Sequence, residues 1–90
     1  MKLYYFKTAS CNIEYTVIAE NKIKAHEYLL IHIENRITEY LNNYSDLSAI
    51  YYRKLLEKWE NVDPLDISTF PYTYSLEEYD IGQVIETEVS

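Results

Sequence analysis

The sequence is poor in the residues on which metal, nucleotide and nucleophile chemistry depends. Its 90 residues include one cysteine, one glycine and two prolines. A lone Cys11 excludes a disulfide within the chain and a zinc site built from several thiolates, and no base stands near it in the sequence to activate it. A single glycine leaves no glycine-rich loop that could hold a phosphate. We therefore predict no enzymatic activity, no cofactor and no bound metal.

Long apolar runs and basic residues are also scarce. The longest apolar run is far shorter than the ~20 residues of a membrane span, and the start MKLYYFKTAS lacks the apolar region of a signal peptide. We expect a cytoplasmic protein with no membrane contact. Eight Lys and Arg stand against fifteen Asp and Glu, giving a net charge of -7. This balance argues against direct binding to nucleic-acid phosphates, because such binding depends on cations. A protein with a basic surface is the partner that fits better.

What the chain does contain is enough apolar material for one core. Hydrophobic residues make up 48% of it, and a chain of this length supports one domain, residues 1–90. Alternating patterns predict strands over residues 2–8 and 13–20, joined as an antiparallel hairpin by a turn at about residues 9–12.

A helical period begins after the second strand. Asn21 is the expected N-cap of a helix of about five to six turns. A second helix should begin at Ser45 or Asp46, end near residue 61 and lie antiparallel to the first. His26 is expected to be a hydrogen-bonded core residue, whereas His32 lies on the other side, so the two do not form a metal pair. The predicted core-facing stripe of the first helix is Ile23, His26, Leu30, Ile33, Ile37, Tyr40 and Leu41.

The last third predicts an ordered loop and a closing strand. Residues 63–80 contain both prolines together with acidic and tyrosine residues, which indicates a loop, with a short helical turn or a short extended piece inside it. Residues 83–89, QVIETEV, alternate as a strand does. The predicted fold is therefore α+β, in the order ββαα-loop-β: an antiparallel sheet of about three strands with two antiparallel helices on one face.

Charge is divided unequally along the chain. Residues 1–56 hold seven cations and six carboxylates, whereas residues 57–90 hold one cation and nine carboxylates. Tyrosines offer contact area at low entropic cost, and carboxylates accept bonds from Arg, so the acidic, tyrosine-rich segment could bind a basic cleft. The alternative is that the carboxylates keep the domain soluble while the tyrosines cover the sheet. The predicted partner-binding residues are Glu77, Glu78 and Asp80 for charge, with Tyr72, Tyr74 and Tyr79 as anchors.

These features lead to a functional hypothesis. The sequence favours a non-enzymatic acidic protein-binding module or inhibitor that docks in a basic groove of a partner. Such a groove could be one that normally holds nucleic acid. A nucleic-acid mimic of the phage anti-defence type is an example of that general class. One alternative is a self-associating structural protein, a homodimer for instance, that uses the wide apolar face of the second helix. Another is a protein that sequesters a small nucleotide by stacking it on tyrosines.

Overall fold

The fold consists of one sheet and two helices. The computed structural model of the chain describes residues 1–8, 14–43, 46–71, 74–84 and 86. The sheet contains the strands β1 (Lys2–Thr8), β2 (Tyr15–Ala19) and β3 (Tyr74–Asp80), all antiparallel to their neighbours. The helices are α1 (Lys22–Asn43) and α2 (Asp46–Glu60), and a short 3-10 turn spans Ile67–Thr69. The predicted α+β class, with three antiparallel strands and two helices, is confirmed.

β1 is the central strand of the sheet, in the order β2-β1-β3. Tyr4 lies opposite Val17 on one side and opposite Glu78 on the other, so these three side chains share a face. The strands of the predicted hairpin are therefore confirmed, although the turn at residues 9–12 lies outside the described residues. Because β1 has a partner on each side, β2 and β3 form the two edges.

The closing strand is not where the sequence pattern put it. β3 spans Tyr74–Asp80, within the predicted loop, whereas Gln83, Val84 and Glu86 are exposed and not in a strand. The other residues of the predicted strand, 85 and 87–89, lie outside the described residues. Lysines of β1 pair with the carboxylates of β3, and this pairing stabilises a strand whose own sequence, YSLEEYD, has three residues of low strand preference, two Glu and one Asp. Gly82 follows β3 and has a φ of +90°, a backbone conformation that glycine adopts more readily than other residues because it has no Cβ.

The two helices run antiparallel to each other. His26 near the start of α1 contacts Trp59 near the end of α2, while Tyr40 near the end of α1 stacks on Tyr52. Asn21 caps α1 as predicted, because its Oδ1 accepts a hydrogen bond from the backbone N–H of Lys24 at 2.9 Å.

The buried residues of α1 are rotated about the helix axis relative to the predicted core-facing stripe. His26, Ile33 and Ile37 are buried as expected, but Ile23 and Leu41 are exposed. Ala25 and Leu29 are buried in their place. The reason is that α1 has two neighbours: it packs on β2 with one side and on α2 with another, so its contact surface is wider than a single stripe.

Trp59 of α2 lies at the centre of the core. Its side chain is fully buried, and its ring contacts Phe6 of β1 edge to face at 5.4 Å and Tyr74 of β3 at 4.6 Å. Phe6 and Tyr74 are on the same face of the sheet, so α2 covers β1 and β3 while α1 covers β2. The described helices therefore lie on one face, and the other face carries Leu3, Tyr5, Lys7, Thr16, Ile18, Ser75, Glu77 and Tyr79.

Candidate functional site

The six predicted partner-binding residues do not form one exposed patch. Tyr74 is buried against Trp59 and cannot act as a surface anchor in this fold. Tyr72 lies outside the described residues. The remaining four alternate along β3, so Glu77 and Tyr79 lie on the helix-free face while Glu78 and Asp80 lie on the helix-covered face. A strand geometry therefore separates residues that the predicted loop would have brought together.

On the helix-free face, Glu77 has two partners. Lys7 Nζ of β1 lies 3.0 Å from Glu77 Oε1, and the Tyr79 hydroxyl donates a hydrogen bond to the other carboxylate oxygen. The hydrogen bond from Tyr79, together with that from Lys7, lowers the pKa of Glu77. The same bond raises the pKa of Tyr79, because the neighbouring carboxylate disfavours a phenolate.

On the helix-covered face, Glu78 and Asp80 are close to lysines from the first quarter of the chain. Lys2 Nζ lies 2.7 Å from Glu78 Oε1 and 3.6 Å from Asp80 Oδ1, and Lys22 Nζ lies 3.7 Å from Glu78 Oε2. The hydrogen bond from Lys2 lowers the pKa of Glu78 and raises that of Lys2. Charges that are segregated in the sequence are thus partly neutralised in space.

The turn between α2 and β3 is a second acidic region, and its backbone is held by its own side chains. Asp66 Oδ1 accepts hydrogen bonds from the backbone N–H of Ser68 at 3.0 Å and from its hydroxyl at 2.6 Å, and these bonds lower the pKa of Asp66. Thr69 Oγ1 accepts from the N–H of Asp63 at 2.7 Å and donates to the carbonyl of Asp66 at 2.7 Å. Asp63 Oδ1 accepts from the N–H of Leu65 at 2.9 Å. We call residues 62–70 the acidic turn.

The acidic turn exposes two aliphatic side chains. Leu65 is 65% exposed and Ile67 is 77% exposed. Between them and the body of the domain is a shallow cavity of about 280 Å³, lined by Lys22, Pro64, Leu65, Ile67, Phe70 and Leu76. Among the ion pairs of the described residues, none includes Asp63 or Asp66. The acidic turn therefore presents apolar surface and negative charge together.

Sequence reasoning did not identify Leu65 and Ile67. A signal was present, since both follow Pro64 in a segment of Asp and Ser residues that favours a turn, and turns lie on the surface. The acidic, tyrosine-rich composition of residues 63–80 instead directed attention to tyrosines. Among the described tyrosines, Tyr40 stacks on Tyr52 and Tyr74 contacts the ring of Trp59, so these tyrosines already stabilise the fold.

A second exposed apolar cluster lies where the two helices meet. Leu47 is 77% exposed, and Ile50, Tyr51 and Leu41 are also exposed. Leu47, Ile50 and Tyr51 have the spacing that places residues on one side of a helix. We call these four residues the hairpin-end cluster. Part of the wide apolar face of the second helix is thus left open, and the remainder, including Leu55 and Trp59, is buried.

Both histidines make contacts within the fold. His26 is buried, and its Nε2 lies 2.7 Å from the carbonyl oxygen of Trp59, so the predicted hydrogen-bonded core histidine is confirmed. His32 is exposed, with its ring 5.7 Å from that of Tyr15. Within the described ranges, no three His, Cys, Asp or Glu side chains are grouped as metal ligands. Cys11 lies outside those ranges.

Neither the character of the helices nor a comparison with known proteins assigns this chain to a family. Neither α1 nor α2, as far as the structure describes them, combines the length and the apolar character needed to cross a membrane. Comparison of the chain with protein-family models, with curated proteins and with solved structures finds no match.

Proposed function

We propose that this protein is a non-enzymatic binding module that docks its acidic turn onto a basic surface or groove of a partner protein. The observation that carries the proposal is the exposure of Leu65 and Ile67 on a hydrogen-bonded turn flanked by Asp63 and Asp66. A basic groove that ordinarily holds nucleic acid fits this description, and occupying it would make the protein an inhibitor. A cytoplasmic location is part of the same proposal.

The energetics of such docking follow from the turn's construction. A few side chains buried at the centre of an interface contribute much of its binding energy, and Leu65 and Ile67 are exposed enough to enter a partner's pocket. The hydrogen bonds of Asp63, Asp66 and Thr69 order the turn before binding, so less entropy is lost on association. The carboxylates would accelerate encounter with a positive partner.

The carboxylates of β3 have a smaller part in this proposal than the sequence indicated. Glu77 and Glu78 already pair with Lys7 and Lys2, so a basic partner would have to compete with those lysines. Asp63 and Asp66 form no ion pair among those of the described residues and would meet a partner's cations without such competition. The predicted acidic segment therefore remains the proposed docking region, with its anchors at Leu65 and Ile67.

The experiment uses the full-length protein as bait in a lysate of its source organism. The test variant is Leu65→Ser with Ile67→Ser, and the matched control is Leu47→Ser with Ile50→Ser, which removes two exposed aliphatic side chains elsewhere. We expect one protein to be enriched by the wild type and the control, to be lost from the test variant by at least ~10-fold, and to elute at raised salt. A protein retained equally by all three baits would contradict docking through the acidic turn.

The hairpin-end cluster supports a second candidate, self-association through α2. Its exposed residues, Leu47, Ile50, Tyr51 and Leu41, are the kind of surface that a homodimer buries. Light scattering coupled to gel filtration decides between the two candidates. A dimer at tens of micromolar that becomes a monomer with Leu47→Ser and Ile50→Ser would support self-association, whereas a wild-type monomer would remove it.

A further inference from the structure

Among the described strands, β2 lies at one edge of the sheet, and its own sequence has none of the residues that usually protect an edge. Within the described part of the chain, nothing pairs with the side of β2 that faces away from β1. Alternate residues of such a strand direct backbone N–H and C=O groups outward. The five residues YTVIA contain no charge and no proline, and their pairing with β1 is continuous, so there is no bulge. Charged residues, prolines and bulges are the devices that normally keep an edge from pairing with another chain.

A groove follows this edge, between β2 and α1. It has a volume of about 470 Å³ and opens to solvent. Tyr15 and Val17 of β2 and Leu29 of α1 form its apolar inner wall, while Tyr28 and His32 stand one helical turn apart on its rim. A strand added to β2 would direct every second side chain toward this groove.

Two carboxylates bracket the edge. Glu14 immediately precedes β2 and Glu20 immediately follows it, and both are exposed. The Glu14 carboxylate accepts a hydrogen bond from Tyr5, which holds it beside the sheet. Glu20 lies near Lys24, but that lysine is paired with Glu27 at 3.2 Å. The two ends of the β2 edge therefore each carry a carboxylate, on the helix-free face.

This charge pattern discriminates between two occupants. If two copies of the chain paired antiparallel along the full length of β2, centred on Val17, Glu14 of each copy would lie opposite Glu20 of the other. Like charges directly opposite each other destabilise a strand pair. A foreign strand with a cation at each end would instead meet a carboxylate at each end.

We propose that β2 and α1 form a binding site for an extended segment of a partner protein, which adds to the sheet as a fourth, antiparallel strand. The segment has Lys or Arg at its first and seventh positions, opposite Glu20 and Glu14. Its second, fourth and sixth positions are apolar and face the groove, opposite Ala19, Val17 and Tyr15. This site is separate from the acidic turn and does not depend on the function proposed for it.

The physical basis is that of strand addition in general. Backbone hydrogen bonds to the outward groups of β2 supply affinity for any extended segment, and the groove supplies selectivity through alternate side chains. Seven extended residues span about 20–24 Å, which is the distance over which the two carboxylates must be matched.

The test uses a labelled peptide, KVTVTVK, with blocked ends, and follows its binding to the full-length protein by fluorescence anisotropy. We expect saturable binding that is at least ~10-fold weaker for the charge-reversed peptide EVTVTVE. Tyr28→Lys, at the groove rim, should weaken binding of KVTVTVK by at least ~10-fold, whereas Ile31→Lys, an equally exposed site on α1 outside the groove lining, should change it by less than ~2-fold. Amide hydrogen exchange of residues 15–19 should slow in the complex.

Three outcomes would overturn the proposal. The first is no binding of KVTVTVK up to ~1 mM peptide. The second is equal loss of binding with Tyr28→Lys and Ile31→Lys, or exchange protection located away from β2. The third is a wild-type dimer that Ile18→Lys converts to monomer, because a second copy would then occupy the edge. Leu65→Ser with Ile67→Ser should leave peptide binding unchanged, so failure of the acidic-turn proposal and failure of this one can be told apart.

Discussion

The two edges of the sheet differ in charge and in what holds them in place. β3 carries Glu77, Glu78 and Asp80, and lysines of β1 pair with these carboxylates. β2 has no charged residue between Tyr15 and Ala19. β3 is therefore attached to the central strand by ion pairs as well as by backbone hydrogen bonds, whereas β2 depends on the hydrogen bonds and on packing against α1.

The acidic third of the chain is therefore divided between two settings, the strand β3 and the acidic turn. Its carboxylates on β3 pair with lysines of β1, which is a structural role, whereas Asp63 and Asp66 of the acidic turn form no ion pair among those of the described residues. The uncharged edge lies beside an open groove of about 470 Å³. An uncharged strand edge can pair with another chain, which is why we assign a binding role to β2 and not to β3.

The largest expected effect on stability comes from removing the ring of Trp59, which holds β3 to the core. Trp59 contacts Phe6 and Tyr74 and is fully buried. Trp59→Ala should lower the free energy of unfolding by about 3–5 kcal/mol, because it leaves a large cavity. Urea denaturation followed by circular dichroism measures this loss.

The matched control for Trp59→Ala is Leu47→Ala on the same helix. Leu47 is 77% exposed, so its truncation should change the free energy of unfolding by less than about 0.5 kcal/mol. A loss of similar size for both variants would mean that Trp59 does not hold β3 against the helices, and the attachment of that edge would need another explanation.

The next largest effect on stability is expected at the start of α1, next to β2. β2 leads directly into α1 through Asn21, whose side chain caps the helix. Asn21→Ala should lower the free energy of unfolding by about 1 kcal/mol, since the N–H of Lys24 loses its partner. Asn35→Ala, at an exposed position inside α1, should not destabilise, because Ala favours helix interiors more than Asn does. Equal stability of the two variants in urea would show that the cap contributes nothing to the β2 side.

The same contrast explains how much of the fold could be predicted. Strands β1 and β2 and the start of α1 follow from local patterns: alternation, and an Asn cap before a helical period. β3 could not be found in this way, because its stabilising partners, Lys2 and Lys7, are about seventy residues away in the sequence. Residues 83–89 had the better local strand pattern, and nothing in that pattern says whether a partner strand is available.

The sequence predicted the region of the candidate site but not the residues that are exposed there. The acidic excess after residue 57 is a property of composition and needs no structure. Which side chains are exposed depends on the alternation of β3 and on the position of α2, and these bury Tyr74 while leaving Leu65 and Ile67 exposed. The groove beside β2 depends on where α1 crosses the sheet, and the predicted stripe, which included Ile23 and Leu41 but not Leu29, did not contain that information.

A smaller effect on stability is expected from acid, and part of it comes from the β3 edge. The folded state lowers the pKa of Glu78, chiefly through the hydrogen bond from Lys2. Such a group contributes stability above its unfolded pKa, and that contribution is lost as the pH falls through the lower folded pKa. The urea midpoint should therefore fall between about pH 6 and about pH 3, and it should fall less steeply for Lys2→Met. Lys54→Met, a surface charge change on α2, should keep the wild-type slope, and equal slopes for all three proteins would contradict a role for the Lys2 pair.

The smallest expected effect is that of Lys7→Met, which removes the ion pair on the helix-free face. Both partners are more than one-third exposed, and Glu77 keeps the hydrogen bond from Tyr79, so the carboxylate is not left without a donor. We expect a small fall in the urea midpoint at low ionic strength, and this fall should approach zero at about 1 M salt. Thr16→Lys, which adds a charge to the exposed β2 edge, should change stability by less than about 0.5 kcal/mol. A salt-independent loss for Lys7→Met would mean that Lys7 contributes through its ammonium, which lies 5.3 Å from the centroid of the Tyr5 ring, more than through the ion pair, and the two edges would then differ less than their charges indicate.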